Sequence, residues 1–478
     1  MSAHTIHIPS FRGLDQYGDG ANVDPRCAAD CVNALTRQGV LQPMTQCRLL
    51  SGTLPGPIET LARLHRRWHT QDHDVLIAAS GGQLYWMLPG GRYWKRMGMP
   101  WGWTQKSYQS NVWSCVAYEI NPPDASAPVD VLLMSNAQDG MICVRGDTMA
   151  VSPVATPRKF GVIARHAERI WGGAIADDPD MLVYSAPYDP FSWAQNADHP
   201  EDGAGDVLQP SWDGDSFTAL APLGGQLIAL KRTRVWRIYG SNPGEYVFSE
   251  QYGGGTPCFQ TVAAHGTDLF MLGREGLMRY DGECVSPYRQ SYARGVFERM
   301  NPAALSAACA CVHRGVYYCA LPLDGSPVNN AVLRYDTQED TWLVREGVSV
   351  ESFLSTEDAL YFTSSATPGR VWLWQESEEG AAQPMRWVSP WLDLGMQSSL
   401  KGDVCLYLTS EGPEPVYLRV GLETEKRLRM KDVRLQGTRR IRFPGFGRRL
   451  RFVIESSPGV SFRLISGAEI TLENEEDV

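Results

Sequence analysis

The feature that most constrains the fold is a hairpin unit that recurs along the middle of the chain, between residues 58 and 385. Each unit has a turn, an apolar strand, a second turn and an aromatic-rich strand that often ends in Tyr-Asp, as in Leu277–Asp281 and Val332–Asp336. Many of the turns contain Asp-Gly or Gly-Gly, which supply the positive φ angles that tight hairpins require. One hairpin cannot bury its apolar face alone, so such units must stack or close into a ring.

The spacing of these hairpins predicts a β-propeller. The units recur every ~45 to 55 residues, which is the spacing expected of propeller blades. We therefore expect an all-β, radially arranged central region with about six blades. No blade signature such as the WD dipeptide repeats cleanly along the sequence, so the blade count depends on the spacing.

Two changes in the sequence pattern predict three domains. Residues 1–57 are interrupted by Gly and Pro, which predicts an irregular N-terminal arm. Residues 58–385 form the predicted β-propeller. Residues 386–478 contain short runs that alternate apolar and polar side chains, which predicts a C-terminal β-rich domain with buried and exposed sheet faces.

The sequence also limits where the protein is expected to reside. It has no run of the ~18 to 20 apolar residues that span a bilayer, so no membrane partner is expected. Its N-terminus lacks the basic start and apolar core of a signal peptide. The eleven Cys residues are not spaced as a disulfide framework or as zinc ligands, and we expect reduced, mostly buried thiols. These features predict a soluble protein made in a cytoplasm.

The sequence lacks the motifs that carry common catalytic and cofactor chemistry. It has no phosphate-binding loop, dinucleotide-binding turn, zinc-protease motif or nucleophile elbow. The acidic runs Asp177–Asp180 and Asp213–Asp215 could hold calcium, but they lack the spaced ligands and closing Glu of a calcium loop. Acidic turns between strands explain both runs. We therefore predict no enzymatic activity, no catalytic residues, no metal and no cofactor.

The strongest charge signal lies near the C-terminus. Between Lys426 and Arg451 there are eleven basic residues and one acid, Asp432, although the whole chain has a net charge of −10. Several of the arginines alternate with apolar residues, which on strands places them on the face opposite the apolar side chains. We predict that this basic face is an interface. Its candidate residues are Arg439, Arg440, Arg442, Arg448, Arg449 and Arg451.

Three partners are compatible with such a face. An acidic protein neighbour or another subunit would gain on-rate and register from it, and this is the partner we expect. Direct DNA contact through phosphates is an alternative. The third possibility is a solvated face paired with local carboxylates, which the remaining charge of about −20 could supply. Charge asymmetry alone does not identify the partner.

Both ends of the chain resemble a known family. The basic strands at 433–443 and 448–457, followed by Gly467-Ala-Glu-Ile-Thr-Leu-Glu473, resemble the ending of the packaged-DNA stabilisation, or tail-hub, proteins of short-tailed phages. The opening Ile8-Pro-Ser-Phe-Arg-Gly13 and the phrase Gly39-Val-Leu-Gln-Pro43 resemble the N-terminal segments of phage nozzle proteins. The chain length and the central hairpins are similar as well.

The resemblance implies a structural virion protein. In that family, six copies of a β-propeller subunit form a tube below the portal and its adaptor ring. The tube continues the DNA channel, retains packaged DNA without sequence-specific binding, and takes part in DNA ejection. The implied partners are the chain itself, the adaptor ring and other tail proteins, and the implied location is the virion tail after assembly in the host cytoplasm. The family has no catalytic residues, and an acidic lumen would repel DNA and let it slide.

Two other classes of function remain open from the sequence. A carbohydrate-binding propeller could use Trp94, Trp101 and Trp103 to stack on sugars. A divergent propeller hydrolase is the other alternative, although no acid, base and nucleophile set can be assembled from the motifs.

Overall fold

The regular structure of the protein, described by a computed structural model, is almost entirely β-strand. Among the described residues there is one short α-helix, Arg294–Phe297, and there are 3-10 helices at Pro243–Glu245, Phe259–Thr261, Gln290–Ala293 and Pro302–Ala307. Among the residues that the structure describes, no helix is long and apolar enough to cross a membrane. The structure describes residues 4–17, 23–50, 52–68, 71–211, 213–376, 380–394, 402–444 and 447–473.

Five short strands precede the hairpin region. They are β1 (His4–Ile8), β2 (Asp30–Val32), β3 (Ala34–Arg37), β4 (Val40–Pro43) and β5 (Arg48–Leu49). The segment predicted as an irregular arm therefore contains strands, but these strands do not form a sheet of their own. Strand β5 joins a propeller sheet, and the other four join sheets of the C-terminal region.

The hairpin region forms seven four-stranded antiparallel units, arranged as the blades of a propeller. Blade 1 contains β6 (Ile58–Trp68), β7 (Gln71–Ser80), β8 (Gln83–Met87) and β9 (Lys95–Arg96). Blade 2 contains β10 (Ser114–Ile120), β11 (Val129–Asn136), β12 (Gly140–Arg145) and β13 (Val151–Val154). Blade 3 contains β14 (Val162–His166), β15 (Arg169–Gly173), β16 (Met181–Tyr184) and β17 (Gly205–Leu208). Blade 4 contains β18 (Phe217–Leu223), β19 (Gln226–Lys231), β20 (Arg234–Tyr239) and β21 (Val247–Tyr252).

The remaining blades complete the ring. Blade 5 contains β22 (Ala263–His265), β23 (Asp268–Leu272), β24 (Leu277–Tyr280) and β25 (Val285–Pro287). Blade 6 contains β26 (Cys309–His313), β27 (Val316–Leu321), β28 (Ala331–Asp336) and β29 (Thr341–Glu346). Blade 7 contains β30 (Val350–Ser355), β31 (Leu360–Ser364) and β32 (Val371–Leu373), and β5 supplies its fourth strand.

The structure confirms the all-β propeller prediction and corrects the number of blades. The sequence spacing predicted about six, and the structure has seven. No repeated blade signature fixed the count in the sequence, and only three strands of blade 7 follow one another there. The fourth strand comes from residues 48–49, where Leu49 pairs with Trp372 and Arg48 with Leu373.

The Tyr-Asp ending of several strands has a local structural cause. In blade 6, Oδ1 of Asp336 accepts hydrogen bonds from the backbone N–H groups of Gln338 and Glu339. In blade 5, Oδ1 of Asp281 accepts bonds from the N–H groups two and three residues later. A side chain that satisfies its own turn in this way stabilises the bend after the strand.

Side-chain hydroxyl groups connect neighbouring inner strands around the ring. Oγ1 of Thr60 in blade 1 accepts a bond from the N–H group of Trp113, which precedes the first strand of blade 2, at 2.8 Å. Oγ of Ser114 in blade 2 accepts a bond from the N–H group of Ile163 in blade 3 at 3.0 Å. Apolar side chains fill the space between the same blades, so the blades pack through cores as well as through these bonds.

The ring closes between blades 7 and 1. Oγ of Ser352 accepts a bond from the N–H group of Leu61 at 3.2 Å, and Oγ1 of Thr363 donates to the carbonyl of Ile58 at 2.8 Å. These contacts join residues almost 300 positions apart in the sequence. The closed ring leaves its inner strands with neighbours on both sides.

The C-terminal region is built from two sheets that include the N-terminal strands. Its own strands are β33 (Arg386–Val388), β34 (Asp403–Ser410), β35 (Val416–Thr424), β36 (Leu428–Leu435), β37 (Thr438–Phe443), β38 (Leu450–Glu455) and β39 (Leu464–Glu473). One sheet has the order β3-β4-β39-β34-β37, with β1 also paired to β39. The other continues blade 6 outward in the order β29-β2-β33-β38-β35-β36.

A single apolar core joins the two C-terminal sheets to blades 5 and 6. Trp387 on β33 is fully buried in it, and its ring contacts Phe11 and Phe452 at centroid distances of 5.2 and 5.3 Å. Its Nε1 donates to the carbonyl of Arg12 at 3.1 Å. The C-terminal sheets are therefore packed onto the propeller rather than connected to it by a linker.

Gly467 and Gly437 provide a test of how the N-terminal strand is held. Both have a φ of +64°, but a Cβ at Gly467 would overlap the backbone oxygen of Ile8, whereas a Cβ at Gly437 would meet nothing within 4 Å. We expect Gly437→Ala to lower the free energy of unfolding by about 1 to 2 kcal/mol, the cost of a left-handed conformation. We expect Gly467→Ala to lower it further and to expose residues 4–8 to protease, since β1 must move.

Thermal unfolding and limited proteolysis of the two variants measure this difference. Equal destabilisation of both variants, with an equally protected N-terminus, would contradict the close packing of β1 on β39.

Candidate functional site: the basic edge of the C-terminal sheets

The two C-terminal sheets end in edge strands that lie beside each other, β36 in one sheet and β37 in the other. Side chains of β36 reach the backbone at β37: Nζ of Lys431 donates to the carbonyl of Arg442 at 2.5 Å, and Arg429 donates to the carbonyl of Pro444. Charged side chains on edge strands prevent pairing with further strands. We name this surface the basic edge. It consists of Arg429, Lys431, Arg439, Arg440 and Arg442.

Three of the six residues predicted from the sequence lie on β37 within the basic edge. Arg440 and Arg442 are exposed and alternate with the buried Ile441 and Phe443. Arg439 is exposed as well, although it projects to the same side as Ile441. The alternating pattern therefore places Arg440 and Arg442 on the outer face of the sheet, and Arg439 is exposed on the other face near the start of the strand.

The other three predicted residues belong to the second sheet. Arg448 and Arg449 precede β38, and Arg451 lies on it. The guanidinium carbons of Arg449 and Arg451 lie 6.0 and 4.6 Å from the centroid of the Trp391 ring. The structure thus divides the six arginines into two groups on different sheets, whereas the sequence pattern had suggested a single face.

Carboxylates from neighbouring strands accompany both groups. Arg442 forms an ion pair with Asp403 at 2.6 Å, and Arg451 forms one with Glu423 at 2.8 Å. The carboxylate of Glu425 accepts bonds from the two backbone N–H groups that precede β38. Sequence reasoning missed these partners because all three acids lie outside residues 426–451 and come close only through strand pairing.

Local carboxylates pair with part of the positive charge in this segment. Asp403, Glu423 and Glu425, together with Asp432, are four acids beside the eleven basic residues between Lys426 and Arg451. Pairing through exposed ion pairs is weak, since solvent screens such contacts. Local carboxylates therefore account for part of the charge of this region.

Two carboxylates lie at one end of the propeller axis. Glu59 and Glu351 occupy bulges at the start of the inner strands of blades 1 and 7. Nε2 of Gln260, from blade 5, donates to the backbone oxygen of Glu59 at 3.4 Å. Because blades 1 and 5 are not adjacent, this contact joins separate parts of the ring near its inner strands.

The surroundings of Glu351 shift the pKa of its side chain. Burial raises the pKa of Glu351 to about 7, and the neighbouring Glu59 carboxylate adds to the shift. Oε2 of Glu351 is buried and has no hydrogen-bond partner among the described residues. The charged form of Glu351 is therefore disfavoured in the folded protein.

A crevice of about 570 Å³ lies between blades 6 and 7 and contains a buried carboxylate. Oε1 of Glu376 accepts bonds from Arg334 Nε at 3.0 Å, the Tyr318 hydroxyl at 3.0 Å and Trp374 Nε1 at 3.2 Å. Although burial opposes ionisation, Arg334 and the hydrogen bonds together lower the pKa of Glu376. A carboxylate held ionised in this way is poorly suited to exchange protons near neutral pH, and it anchors neighbouring strands instead.

The acidic runs considered as calcium sites are used within the protein. Asp180 forms an ion pair with the fully buried Lys231 at 2.5 Å, and Asp213 forms one with Arg234 at 2.6 Å. The carboxylate of Asp215 accepts the backbone N–H groups of the turn that follows β19, at 2.9 Å each. These contacts agree with acidic turns between strands.

The tryptophans considered for sugar stacking do not form one platform. Trp101 is 90% exposed. Trp103 is half-buried and packs edge-on against the ring of Tyr108 at 5.8 Å, and Trp94 packs beside the core between blades 7 and 1. Their rings therefore have different surroundings, and only Trp101 has a largely open face.

Comparison with known proteins finds similarity in fold. No protein-family model matches the chain, and no curated protein matches it in sequence. A structure of BBS1N in complex with ARL6DN is 8% identical, covers 69% of this chain and 94% of that chain, and has a TM-score of 0.42. The Neurospora crassa Pan2 WD40 domain is 12% identical, with 70% and 98% covered and a TM-score of 0.38. An exo-β-1,3-galactanase from Phanerochaete chrysosporium with galactose is 11% identical, with 90% and 100% covered and a TM-score of 0.26.

The raised pKa of Glu351 predicts a pH-dependent stability. The unfolded side chain ionises near pH 4.3, whereas the folded one ionises near 7, so folding stability is lost as pH rises through this window. Glu351→Gln removes the free-energy cost of ionising this side chain in the folded protein. We expect the variant to gain about 1 kcal/mol over the wild type at pH 8, after allowance for solvent screening of a half-exposed group, and little at pH 4.

Chemical denaturation at pH 4, 6 and 8 measures this difference, with the exposed Glu245→Gln as the matched control. If Glu351→Gln raises the free energy of unfolding equally at all three pH values, ionisation of Glu351 is not the cause of the effect.

Proposed function

We propose that this chain is a non-catalytic structural subunit of a virus particle, of the tail-hub or nozzle type found in short-tailed phages. In this role several copies form a ring or tube below the portal and its adaptor ring. The tube continues the DNA channel and retains the packaged genome. The proposal is based on the resemblance at the two ends of the chain and on where those ends lie in the fold.

The observation that carries the proposal is that the two resembling segments are hydrogen-bonded neighbours. Strand β1, which contains Ile8, pairs in antiparallel register with β39, so that Ile6 lies opposite Ile470 and Ile8 opposite Ala468. The opening phrase therefore meets the closing phrase through its first residue, Ile8, and Gly467 lies against the backbone of Ile8, Pro9 and Ser10. Two sequence motifs that pack against each other support the family resemblance more strongly than two motifs that lie apart in the fold.

The third resembling segment joins the same structure. The carbonyl oxygen of Gly39, at the turn between β3 and β4, accepts a hydrogen bond from the N–H group of Phe11 at 2.9 Å. Leu41 on β4 pairs with Leu464 on β39. Phe11 and Leu41 are fully buried. All three segments thus contribute to a single core, which supports a structural role for the residues that carry the resemblance.

A structural role also agrees with the hydrogen bonds of several buried charged groups. The buried carboxylates of Glu376 and Asp215 are held by several donors, and the buried amine of Lys231 donates to Asp180, Ser211 and the carbonyl of Gln209. Groups that are fully engaged in this way stabilise the interfaces between blades. A catalytic acid or base would instead need an open, reactive position.

Electron microscopy of the purified chain tests the proposal. We expect closed rings or short tubes with a central opening, since the subunit is proposed to form part of a channel. Negative-stain images over a range of protein concentrations measure this directly. Isolated discs at every concentration, together with turnover of a glycan or ester substrate that is lost on replacing one carboxylate, would contradict it and favour a propeller hydrolase.

A further inference from the structure

A second concentration of charge, opposite in sign to the basic edge, lies in blade 3 and its connection to blade 4. Between Arg169 and Lys231 the sequence contains ten acidic residues and no lysine or arginine. Seven of these acids are exposed. Asp189, Asp198, Glu201 and Asp202 lie in the connection from β16 to β17, and Asp206 lies on β17, the outermost strand, so this side of blade 3 is negative. The other two, Asp177 and Asp213, lie in connections at the opposite end of the blade, and Asp213 pairs with Arg234.

Apolar side chains accompany these acids on the outer side of blade 3. On the outermost strand, β17, Asp206 and Leu208 are both exposed, and Leu208 is 59% exposed. Tyr188 is 75% exposed in the segment before it. A crevice of about 320 Å³ beside Asp206 is lined in part by Trp193. Exposed aromatic and aliphatic groups within a charged rim are typical of protein interfaces.

The basic edge has a similar composition with the opposite charge. Next to it, Tyr417 on β35 is 64% exposed and Leu428 on β36 is also exposed. Both surfaces therefore combine exposed apolar groups with an excess of one charge. A partner for the basic edge needs acidic residues and exposed apolar groups, and blade 3 has both.

The two surfaces lie on different sides of the ring. The basic edge belongs to the two C-terminal sheets, one of which extends outward from blade 6, whereas the acidic surface belongs to blade 3. In a ring of seven blades, blades 4 and 5 separate them on one side and blades 7, 1 and 2 on the other. One neighbouring copy can therefore contact only one of the two surfaces at a time, and each copy can bind a neighbour on either side.

We propose that the basic edge of one copy docks on the outer side of blade 3 of the next copy, in a head-to-tail contact. The inference rests on the proposed function in taking the partner to be a second copy of this chain. A heterologous contact of this kind generates a closed ring when the rotation between copies closes, and a filament when it does not. Complementary charge gives the contact its register and on-rate, and burial of the exposed apolar groups adds affinity.

Charge reversal on each surface tests the contact in the full-length chain. The first variant, Arg439→Glu with Arg440→Glu, leaves the Arg442–Asp403 ion pair and the Lys431 hydrogen bond in place. The second variant, Asp202→Lys with Asp206→Lys, reverses the acidic surface. Reversal of the exposed Arg92 and Lys106 in blade 1 to Glu is the matched control. Thermal unfolding of each variant verifies that it is folded.

Sedimentation velocity at low and high salt measures self-association. We expect the wild type and the control to associate at about 50 mM salt and to dissociate at about 500 mM, where charge is screened. Each variant alone should associate at least ~10-fold more weakly, since like charges then face each other. An equimolar mixture of the two variants should associate again, because each reversed surface then meets an opposite charge.

Several outcomes would overturn the contact. It is wrong if the wild type remains monomeric at low salt, if the variants associate like the wild type, or if the mixture does not recover. Binding of duplex DNA that is lost in the first variant, with unchanged self-association, would assign the basic edge to DNA instead. Rings that form without sensitivity to either reversal would leave the proposed function standing and reject this contact. Salt-sensitive filaments that never close would support the contact and argue against the tube.

Discussion

The pairing of Leu49 with Trp372 and of Arg48 with Leu373 joins strand β5 to the last propeller sheet. Through this pairing, a segment from before blade 1 completes blade 7. The adjacent contact from Ser352 to Leu61 then joins blade 7 to blade 1. A propeller without this closure would leave two sheet faces uncovered, and uncovered apolar faces destabilise the folded state. Closure of the ring therefore depends on pairing between segments far apart in the sequence, and topologies rich in such long-range contacts fold slowly.

Closure at blade 7 also determines where the C-terminal sheets lie. The chain segment that leads to β5 must first pass blade 6, and on the way β2 pairs with β29 of that blade on one side and with β33 on the other. Blade 6 is thereby extended into the C-terminal sheet. Because Trp387 and Phe11 are buried together in the same core, the C-terminal sheets are fixed on one side of the ring. A fixed position is what a directional contact between subunits requires.

The parts of the structure that depend on local sequence could be predicted, and those that depend on distant pairing could not. The hairpins and the acidic turns around Asp213 and Asp336 follow from turn chemistry within a few residues. The seventh blade, the strands of residues 4–49 and the pairing of Arg442 with Asp403 join positions far apart in sequence. Alternation correctly separated Arg440 and Arg442 from Ile441 and Phe443, but it could not show that Arg451 belongs to another sheet.

The distribution of charge has a consequence for how strong any contact between copies must be. Single ion pairs between exposed groups contribute little, and an isolated pair of subunits joined by the basic edge would be in rapid exchange. In a closed ring, however, every subunit contacts two neighbours. Breaking one contact therefore releases no subunit, and the broken contact forms again within the same assembly. Weak, salt-sensitive contacts on opposite sides of a rigid propeller are therefore sufficient for a stable ring. Weak contacts would also limit premature association of subunits, because an open row of subunits lacks the additional contact that closes the ring.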